Sequence, residues 1–431
     1  MTENMKRILL LATTTGYQTR MFGEAAERLG VRLVFATDRC EHLDDPWADS
    51  AIPIRFHKEA ESVERIVRAF ADAPPHGMLA VGDRATMLAA RTARVLGLSG
   101  HPPEAAEAAR DQRLTRLRFR AAGLQVPWFA VVEQPTVPDP TAIAALPFPV
   151  VVKPLTLSGS RGVIRANTPD EFIAAYRRLQ CLLQSPEVKA MKDKAANTIQ
   201  IESFIEGREY AVEGVLHHGQ VQILAIFDKP DPLDGPFFEE TIYVTPSRAG
   251  AAIEADIRTA VSAAASALGL HHGPIHAECR VNHRGVFVLE VAARPIGGLC
   301  AKALSFHGPQ RQQIGLEELL LRHALGESPE PWTREPAASG VMMIPIPRAG
   351  VYRRTEGVDA ARQVAHVVDV QITAKPDQKL LPLPEGASYL GFIFAKGESP
   401  AVVERALREA HARLTFVIDR QMPLASLAPG A

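Results

Sequence analysis

The chain has 431 residues, of which 46% are hydrophobic and 23% are charged. This is enough sequence for about two to four ordinary domains with a large buried core. Lysine and arginine total 48 against 49 aspartate and glutamate, a formal net charge of −1, and no block of like charge stands out. Nothing in this balance indicates nucleic acid or an anionic membrane surface as a partner.

Neither a membrane span nor a secretory leader is predicted. Leucines 9 to 11 lie in an apolar run too short to cross a bilayer, and no small-residue cleavage site follows it. The four cysteines show no paired spacing; they are Cys40, Cys181, Cys279 and Cys300. This pattern favours a reducing cytoplasm and argues against a disulfide framework or a zinc site.

Strand-like and helix-like patterns alternate in the first hundred residues. The predicted elements are a helix over 21–29 and strands over 7–13, 31–36, 51–56 and 77–81. This alternation predicts a parallel sheet flanked by helices, whose ligands would lie at the carboxyl ends of the strands. Polar residues or glycines occupy such ends, and a substrate role and a plain turn role suit them equally: Thr13, Thr14, Thr15, Gly16, Gly82 and Asp83. No G-x-G-x-x-G follows the first strand, so a dinucleotide is not expected.

The later elements are predicted from the same patterns. One helix is expected over 105–122, hairpins over 209–227 and 274–293, and a helix over 251–268. The last hundred residues predict a separate small α+β unit with strands over 341–346, 367–372 and 390–394. Its final helix begins at Ser399 and Pro400, with serine as the N-cap and proline in the first turn.

The segment over 149–165 carries the first chemical signal. A buried strand ends at Lys153, and a loop with Gly159 and Gly162 follows. Glycine permits turns that expose successive backbone N–H groups, and such a nest binds anions. With the ammonium of Lys153, the loop predicts a lid over a polyphosphate. An ordinary hairpin with a flexible turn is the alternative.

The second hairpin carries a pair of carboxylates. With a three-residue turn that ends at Gly285 in the left-handed conformation, Glu278 lies nearly opposite Glu290 on one face. Opposed like charges destabilise a sheet, so a hard cation such as Mg²⁺ between them is the preferred interpretation. The alternatives are two solvent-exposed carboxylates, or salt bridges to Arg280 and Arg294. Arg294 is also placed to clamp a phosphate.

A strand end that turns sharply lies between these two segments, over 200–209. Such an end offers one free C=O and one free N–H to a flat base, with Phe204 and Ile205 as apolar covers. Glu209 would then reach ribose hydroxyls. Alone, this pattern is commonplace.

In this order, the motifs resemble the signature of the ATP-grasp superfamily over roughly residues 1 to 325. The matching segments are Val-Val-Lys153-Pro, Ser158-Gly-Ser-Arg-Gly162-Val, Glu202-Ser-Phe-Ile-Glu-Gly207-Arg-Glu209, Glu278, and Glu290-Val-Ala-Ala-Arg294. The resemblance implies a mixed α/β and α+β protein. Its expected parts are a Rossmann-like parallel-sheet domain (1–104), the small and large lobes of the ATP-grasp domain (105–197 and 198–325), and a small C-terminal α+β domain (326–431).

The resemblance also implies roles for individual residues. The implied ATP contacts are Lys153, Ser158, Ser160 and Gly162 for the phosphates, Glu202, Phe204 and Ile205 for adenine, and Glu209 for ribose. Glu278 and Glu290 are the implied ligands of Mg²⁺, with Mn²⁺ as the alternative ion. Lys153 and Arg294 are the implied catalytic residues.

Within the superfamily, three segments are most similar to the L-amino acid ligases, which join two amino acids into a dipeptide. These segments lie over 227–236, 240–247 and 276–278, and the C-terminal unit is similar to the extra domain of that group. The implied reaction is ATP-dependent carboxylate–amine ligation through an acyl phosphate, with release of ADP and phosphate. Substrate contacts are expected at His276, Glu213, Gly297 and Gly298, with ordinary polar residues of the sheet as an equal alternative for His276 and Glu213.

Two positions depart from the superfamily pattern. Gln112 replaces a lysine, and Ala292 replaces an asparagine, that many relatives carry. These departures leave open a non-catalytic ATP-binding protein. An enzyme that activates formate or bicarbonate in nucleotide biosynthesis also stays open, because the same ATP site would serve it. The expected partners are small molecules, not nucleic acid or a membrane. A cytoplasmic location is expected, with a homodimer as the default assembly.

Overall fold

The computed structural model describes residues 5–13, 18–38, 51–133, 136–193, 195, 197–310 and 312–420. Thr14, Thr15, Gly16 and Cys40, named above, lie outside the described residues. Among the residues that are described, no helix combines the length and the apolar character needed to cross a membrane.

A parallel sheet forms the first part of the chain, as predicted. Its elements are β1 (Arg7–Ala12), α1 (Thr19–Leu29), β2 (Arg32–Thr37), β3 (Ile52–Pro53), α2 (Glu59–Ala69), β4 (Gly77–Val81) and α3 (Asp83–Leu96). The strand order is β3-β2-β1-β4, and the central β1 pairs in parallel with β2 and β4 because its apolar run is buried between helices on both faces. β3 is shorter than the strand predicted over 51–56, since Pro53 has no N–H to extend the ladder.

Two helices follow the sheet, so the single helix predicted over 105–122 is wrong. They are α4 (Pro103–Arg110) and α5 (Gln112–Ala121). Asp111 leaves the helical conformation (φ −88°, ψ 110°), and its carboxylate accepts a hydrogen bond from the Leu114 amide as the N-cap of α5. The break places Gln112 in the first turn of α5.

An antiparallel sheet of four strands forms the small lobe. Its elements are β5 (Phe129–Glu133), α6 (Pro140–Ala144), β6 (Val150–Pro154), β7 (Ile164–Ala166), α7 (Pro169–Leu183), α8 (Pro186–Ala190) and β8 (Thr198–Ser203). The order is β5-β8-β6-β7. Alternate residues Val150 and Val152 of β6 face a core shared with Phe172 and Tyr176 of α7. This packing fixes the end of β6, where Lys153 lies.

The large lobe begins with two antiparallel hairpins around one long helix. Its elements are β9 (Arg208–His217), β10 (Gln220–Asp228), β11 (Ile242–Thr245), α9 (Ala251–Leu268), β12 (Gly273–Asn282) and β13 (Gly285–Ala292). The predicted hairpin over 209–227 is confirmed, with His217 paired to Gln220 across a two-residue turn. Helix α9 buries Ile257, Val261 and Leu268 against the sheet.

The remaining elements complete the large lobe and form the C-terminal unit. They are a short 3-10 helix (Cys300–Ala303), β14 (Ser305–His307), β15 (Gln313–Gly315), α10 (Leu316–Ala324), β16 (Thr333–Arg334), β17 (Ala338–Ile344), β18 (Gly350–Glu356), α11 (Val358–Arg362), β19 (Val367–Ile372), β20 (Lys379–Leu380), β21 (Gly391–Gly397), α12 (Pro400–Ala412) and β22 (Thr415–Asp419). Ser399 is the N-cap of α12, as predicted.

The C-terminal strands extend the sheet of the large lobe. The order of this sheet is β13-β12-β9-β10-β11-β17-β21-β19, and β11 pairs with β17 from Ile242 opposite Met342 to Thr245 opposite Ser339. The predicted C-terminal α+β unit is therefore present but is not fully separate, because β17, β21 and β19 share this sheet, while β20, β18 and β22 form a sheet of their own. The predicted mixed α/β and α+β class is confirmed.

Candidate active site

One cavity lies where the N-terminal sheet, both lobes and the C-terminal unit meet. Its lining includes Asp83 from the first part, and Met343 and Tyr389 from the last. The predicted site residues that line it are Lys153, Ser158, Ser160, Glu202, Phe204, Ile205, Glu209, His276, Glu278, Glu290, Arg294, Gly297 and Gly298. Gly162 and Glu213 do not line it, although Glu213 is hydrogen-bonded to His276 and Ile296, which do, and Gly162 is next to the lining residue Val163.

Strands β9 and β12 place alternate side chains on the face of the large sheet that borders the cavity. Their register pairs Glu209 with Arg280, Ala211 with Glu278, and Glu213 with His276. Successive residues of a strand point to opposite faces, so residues two apart share one face. The period-two spacing of β12 therefore delivers an imidazole, a carboxylate and a guanidinium to one surface.

The hairpin β12–β13 brings Glu278 opposite Glu290, as predicted, but by a different route. The connection is a two-residue turn with Asn282 paired to Gly285, so the predicted three-residue turn is wrong. A β-bulge at Leu289 then adds one residue and restores the Glu278–Glu290 pairing. The Leu289 carbonyl accepts a hydrogen bond from the buried Arg116 at 2.8 Å, which stabilises the bulge.

Burial and Arg294 have opposite effects on the carboxyl of Glu290. Burial raises the pKa of Glu290, although Arg294 partly offsets this effect. Its carboxylate accepts a hydrogen bond from the Gln112 amide at 3.4 Å. Two opposed carboxylates with hard oxygen donors fit Mg²⁺, which prefers such ligands together with phosphate and water.

Lys153 lies in a line of polar contacts between the lobes. Its ammonium is 2.8 Å from Glu202 and donates to Gln112 at 3.1 Å, while Glu202 also pairs with Arg116 at 2.7 Å. Burial lowers the pKa of Lys153 to about 8, although Glu202 acts to raise it. Burial acts to raise the pKa of Glu202, but Arg116 and Lys153 outweigh it and hold the pKa at about 2. Gln112, the departure from the lysine of relatives, thus connects Lys153 to Glu290.

Three carboxylates surround the ammonium of Lys229. Its Nζ lies 2.8 Å from Glu209, 2.7 Å from Glu240 and 2.7 Å from Glu278. Burial alone would lower the pKa of Lys229, but these carboxylates outweigh it and raise the pKa well above its usual value. The carboxylate cluster resembles a metal site in composition, yet the ammonium already occupies its centre.

The glycine-rich loop is bound to the C-terminal unit. Gly159, Ser160 and Gly162 have positive φ values of 67°, 55° and 77°. The Gly162 amide donates to the Pro384 carbonyl at 2.9 Å, and Arg161 donates to the Glu385 carbonyl at 2.7 Å. Gly162 therefore anchors the loop, while Ser158 and Ser160 line the cavity.

The strand end over 200–209, called the hinge below, has one backbone carbonyl already hydrogen-bonded to a side chain. Arg280 donates to the Ile205 carbonyl at 2.7 Å and to Glu209 at 2.8 Å. The Ile205 carbonyl is therefore already hydrogen-bonded within the protein, and the predicted free C=O is not at this residue. Phe204 lies 6.3 Å from the stacked ring of Phe238 and 4.0 Å from the guanidinium of Arg165, measured to ring centroids.

Arg294 joins the N-terminal sheet to the cavity. Its Nε lies 2.9 Å from the Asp83 carboxylate, at the carboxyl end of β4. Burial acts to lower the pKa of Arg294, but Asp83 and Glu290 outweigh it and raise the pKa, so the side chain stays cationic. The salt bridges considered from sequence, between the hairpin carboxylates and Arg280 or Arg294, are replaced by pairs with Glu209 and Asp83.

His276 and Glu213 form a buried pair. His276 Nδ1 is 3.1 Å from Glu213, whose oxygens also accept the Ile296 amide at 3.1 Å. Burial lowers the pKa of His276 to about 3 and raises the pKa of Glu213 well above its usual value. His276 therefore presents an uncharged ring to the cavity, with Glu213 behind it.

Sequence reasoning assigned no role to Arg116 or Lys229. Arg116 lies in an arginine-rich helix segment whose composition is typical of an exposed surface. The side chain is nevertheless fully buried, and it is hydrogen-bonded to the bulge carbonyl 173 residues away. Lys229 stands in the segment over 227–236 that resembles the ligases, directly after strand β10. Its position at a strand end beside an acidic hairpin was the available signal.

Three family models match the chain in the order of these units. They are an ATP-grasp N-terminal domain over residues 23–100, an ATP-grasp domain over 146–303, and an L-amino acid ligase C-terminal domain 2 over 342–419. The chain therefore contains an ATP-grasp domain. The third match confirms the predicted similarity of the C-terminal unit to that of the L-amino acid ligases.

Relatives support the same assignment. The crystal structure of an L-amino acid ligase from Bacillus licheniformis matches 96% of this ATP-grasp chain and 99% of its own, with a TM-score of 0.80 and 27% identity. Alanine–anticapsin ligase of Bacillus subtilis is 29% identical over 223 residues, which is 48% of this chain and 46% of the relative. Carnosine synthase 1 of Gallus gallus is 27% identical over 303 residues, which is 67% of this chain and 32% of the relative. The matched part therefore spans less than half of the length of these two curated relatives.

Proposed function

We propose that the chain is an ATP-dependent carboxylate–amine ligase that joins two amino acids into a dipeptide and releases ADP and phosphate. The observation that carries this proposal is the single cavity in which Lys153, Arg294 and the Glu278–Glu290 pair meet residues of the C-terminal unit. That unit contains the segment that matches the L-amino acid ligase C-terminal domain.

In this proposal, ATP lies between the lobes. Adenine contacts Glu202, Phe204 and the Ile205 amide, because the Ile205 carbonyl is engaged by Arg280. Ribose hydroxyls donate to Glu209, whose oxygens have lone pairs beyond those used by Lys229 and Arg280. The phosphates lie near Lys153 with Ser158 and Ser160 of the loop, which is anchored by Gly162.

Glu278 and Glu290 would hold Mg²⁺, with Mn²⁺ as the alternative ion. Burial raises the pKa of Glu290, and a cation bound beside it would favour the ionised carboxylate. The ion would neutralise negative charge on the phosphate oxygens. Lys229, held by three carboxylates, keeps the oxygen of Glu278 that it contacts from turning away.

The first chemical step joins a substrate carboxylate to the γ-phosphorus of ATP. A new P–O bond forms, the bond to the β-phosphate oxygen breaks, and ADP leaves. Arg294 and Lys153 stabilise charge on the phosphoryl oxygens, and their fixed pairs with Asp83 and Glu202 keep them positioned.

The second step joins the amine of the other substrate to the acyl carbon. The C–N bond forms, the bond from the acyl carbon to the phosphate oxygen breaks, and the nitrogen loses a proton. The substrates lie by His276, Gly297 and Gly298, with Glu213 fixing the His276 ring. A Cβ atom on Gly298 would lie 3.0 Å from the Phe392 ring, so the C-terminal unit limits the space here.

The test measures phosphate release from Mg·ATP with single and paired amino acids, and identifies products by mass spectrometry. A condensed product accompanied by phosphate supports the ligase. Lys153→Met and Glu290→Gln should each lower the rate by about 100-fold or more, while the exposed controls Lys189→Met and Glu330→Gln should not. Size-exclusion chromatography with light scattering tests the homodimer expectation on the same protein.

Other outcomes would contradict the proposal. Stimulation of ADP release by formate or bicarbonate alone would assign the protein to the other carboxylate activators. Binding of ATP without hydrolysis in the presence of every acid and amine would assign it as a non-catalytic ATP-binding protein.

A further inference from the structure

A cluster of histidines lies at the far end of the large sheet from the hinge. Two come from the β9–β10 turn, two from the connection between α9 and β12, one from α10 and one from the segment before α4: His217, His218, His271, His272, His323 and His101. The ring centroids of His217 and His218 are 4.5 Å apart, and those of His218 and His272 are 4.9 Å apart. Four separate parts of the chain therefore contribute imidazoles to one place.

Three of these rings are close enough to share one ion. One nitrogen from each of His217, His218 and His272 lies within 4.8 Å of the others. Zinc binds imidazole nitrogen at about 2.0–2.1 Å, which puts tetrahedral ligands roughly 3.3 Å apart. His218 is exposed, so rotation of its side chain can bring its ring nitrogen closer to those of the other two histidines.

The buried member of the set lacks hydrogen-bond partners. His272 is only 4% exposed, and neither of its ring nitrogens has a partner among the described residues. Leaving a buried polar group unsatisfied costs about 1–3 kcal/mol. Ligation of one nitrogen by a metal would remove part of this cost.

His323 contacts two of these three histidines without being a ligand itself. Its Nε2 is 3.2 Å from Nδ1 of His217, and its ring stacks on that of His272 with centroids 4.1 Å apart. When His217 Nδ1–H donates to His323, Nε2 of His217 keeps its lone pair for an ion. A hydrogen bond from the second nitrogen is the usual way in which proteins orient a metal-binding histidine.

We propose that His217, His218 and His272 form a binding site for a divalent transition-metal ion that prefers imidazole, with Zn²⁺ as the first choice. The ion ties the β9–β10 turn to the start of β12. The site is distinct from the Glu278–Glu290 pair, which lies six residues further along β12, roughly 20 Å away, and has carboxylate ligands. Cysteine spacing, on which the exclusion of a zinc site rested, carries no information about these histidines.

The test uses the full chain without a histidine tag, stripped of metal by a chelator and studied at pH 7.5 in excess Mg²⁺. Co²⁺ should bind with one equivalent per chain and give the intense visible absorption of a four- or five-coordinate ion, and Zn²⁺ should displace it. His218→Ala should weaken Co²⁺ binding by at least about tenfold. His283→Ala, an exposed histidine at another hairpin turn, should not.

Two results would overturn the site. One is failure of the wild-type chain to bind stoichiometric Co²⁺. The other is binding that survives His218→Ala and is lost in the Glu278→Gln/Glu290→Gln double variant, which would place the ion at the carboxylates. His218 is exposed, so its variant should fold even if His272→Asn does not, and circular dichroism checks this.

Discussion

Lys229 supplies a positive charge to three carboxylates at the cavity, those of Glu209, Glu240 and Glu278. Replacement by methionine leaves Glu209, Glu240 and Glu278 buried together without their cation. Removing one partner of a buried ionic group costs about 3–5 kcal/mol, so Lys229→Met should lower the free energy of unfolding by about that amount. Urea denaturation at pH 7 measures the change.

The control is Lys302→Met, which removes a partly exposed pair with Asp369 and should cost no more than about 1 kcal/mol. Burial and Glu278 raise the pKa of Glu240 in the folded chain, so protonation favours the folded state as the pH falls. Lys229 acts to lower this pKa, so its removal raises the pKa of Glu240 further, and the deficit of Lys229→Met should shrink from pH 7 to pH 5. Equal effects of the two variants would show that Lys229 is not needed to hold the carboxylates.

Lys153 gives the proposed ATP site a predictable pH dependence. Burial lowers its pKa to about 8, so the side chain is cationic below pH 8 and becomes neutral above it. Only the cation attracts phosphate, and bound phosphate in turn raises the pKa of Lys153. The KM for ATP should therefore increase as the pH rises above about 8, while kcat changes at higher pH.

Steady-state rates between pH 6.5 and 9.5 measure this effect. Lys153→Arg stays charged throughout that range, so its KM for ATP should not rise with pH, whatever its absolute value. A KM that is flat in the wild type, or that rises equally in Lys153→Arg, would assign the dependence to another group.

Residue-level prediction succeeded where local spacing decides the outcome. The alternation His276, Glu278 and Arg280 fixes one strand face, so the carboxylate pair could be found from β12 and β13 alone. The route to that pair could not, because the bulge at Leu289 is stabilised by Arg116, which is distant in sequence. Partners at the hinge were missed for the same reason.

At the scale of elements, the glycine-rich loop is controlled by what it docks against. Arg161 is buried and forms a bidentate pair with Glu187 at 2.9 and 3.0 Å, besides its bond to the Glu385 carbonyl. Arg161→Gln should free the loop and raise the KM for ATP by about tenfold, since a hydrogen bond to a charged group contributes about 1.5–3 kcal/mol. Limited proteolysis should cut the variant faster near 158–162.

Arg178→Gln is the matched control, because Arg178 pairs with the same Glu385 but through two exposed side chains. Its KM for ATP and its cleavage rate should stay close to those of the wild type. If Arg178→Gln had the larger effect, the exposed contact would be the one that holds the loop.

The helix boundaries show which features of an element can be predicted from its own sequence and which cannot. Capping at Ser399 and the extent of α9 follow from residues next to each other, and both were predicted. The break at Asp111 was not, because alanine-rich sequence on its N-terminal side favours an uninterrupted helix and only the N-cap bond to Leu114 reveals the second start.

At the scale of the whole molecule, Gly340 tests the sheet that joins the large lobe to the C-terminal unit. A Cβ atom there would lie 2.8 Å from the Tyr243 carbonyl oxygen and 2.8 Å from Val403 of α12. Gly340→Ala should therefore reduce the free energy of unfolding by about 1–3 kcal/mol. The unfolding transitions followed by far-UV circular dichroism and by the fluorescence of the buried Trp332 should shift by the same amount.

Gly23→Ala is the control, since no atom lies within 4 Å of its added Cβ and the residue is within α1. It should leave stability unchanged or raise it by up to about 1 kcal/mol. Separate unfolding of the C-terminal unit in Gly340→Ala, before the rest of the chain, would show that the shared sheet does not couple the two parts.

Domain boundaries at 104, 197 and 325 remain a proposal. The mixed fold class and the parallel N-terminal sheet could be predicted because each depends on patterns within short segments. The β11–β17 pairing could not, because it joins Thr245 to Ser339 across most of a hundred residues and either strand alone would suit a separate sheet.

The β11–β17 pairing bears on how this protein could be recombined with its relatives. A chimaera that takes residues 338–420 from a relative must reproduce the side chains facing β11 and the glycine at position 340, or the new edge will not pair. Exchange of the part of the C-terminal unit that lines the cavity therefore requires exchange of β11 as well. A graft that begins at residue 240 respects this requirement, whereas one that begins at the boundary near 325 divides a sheet between two parents.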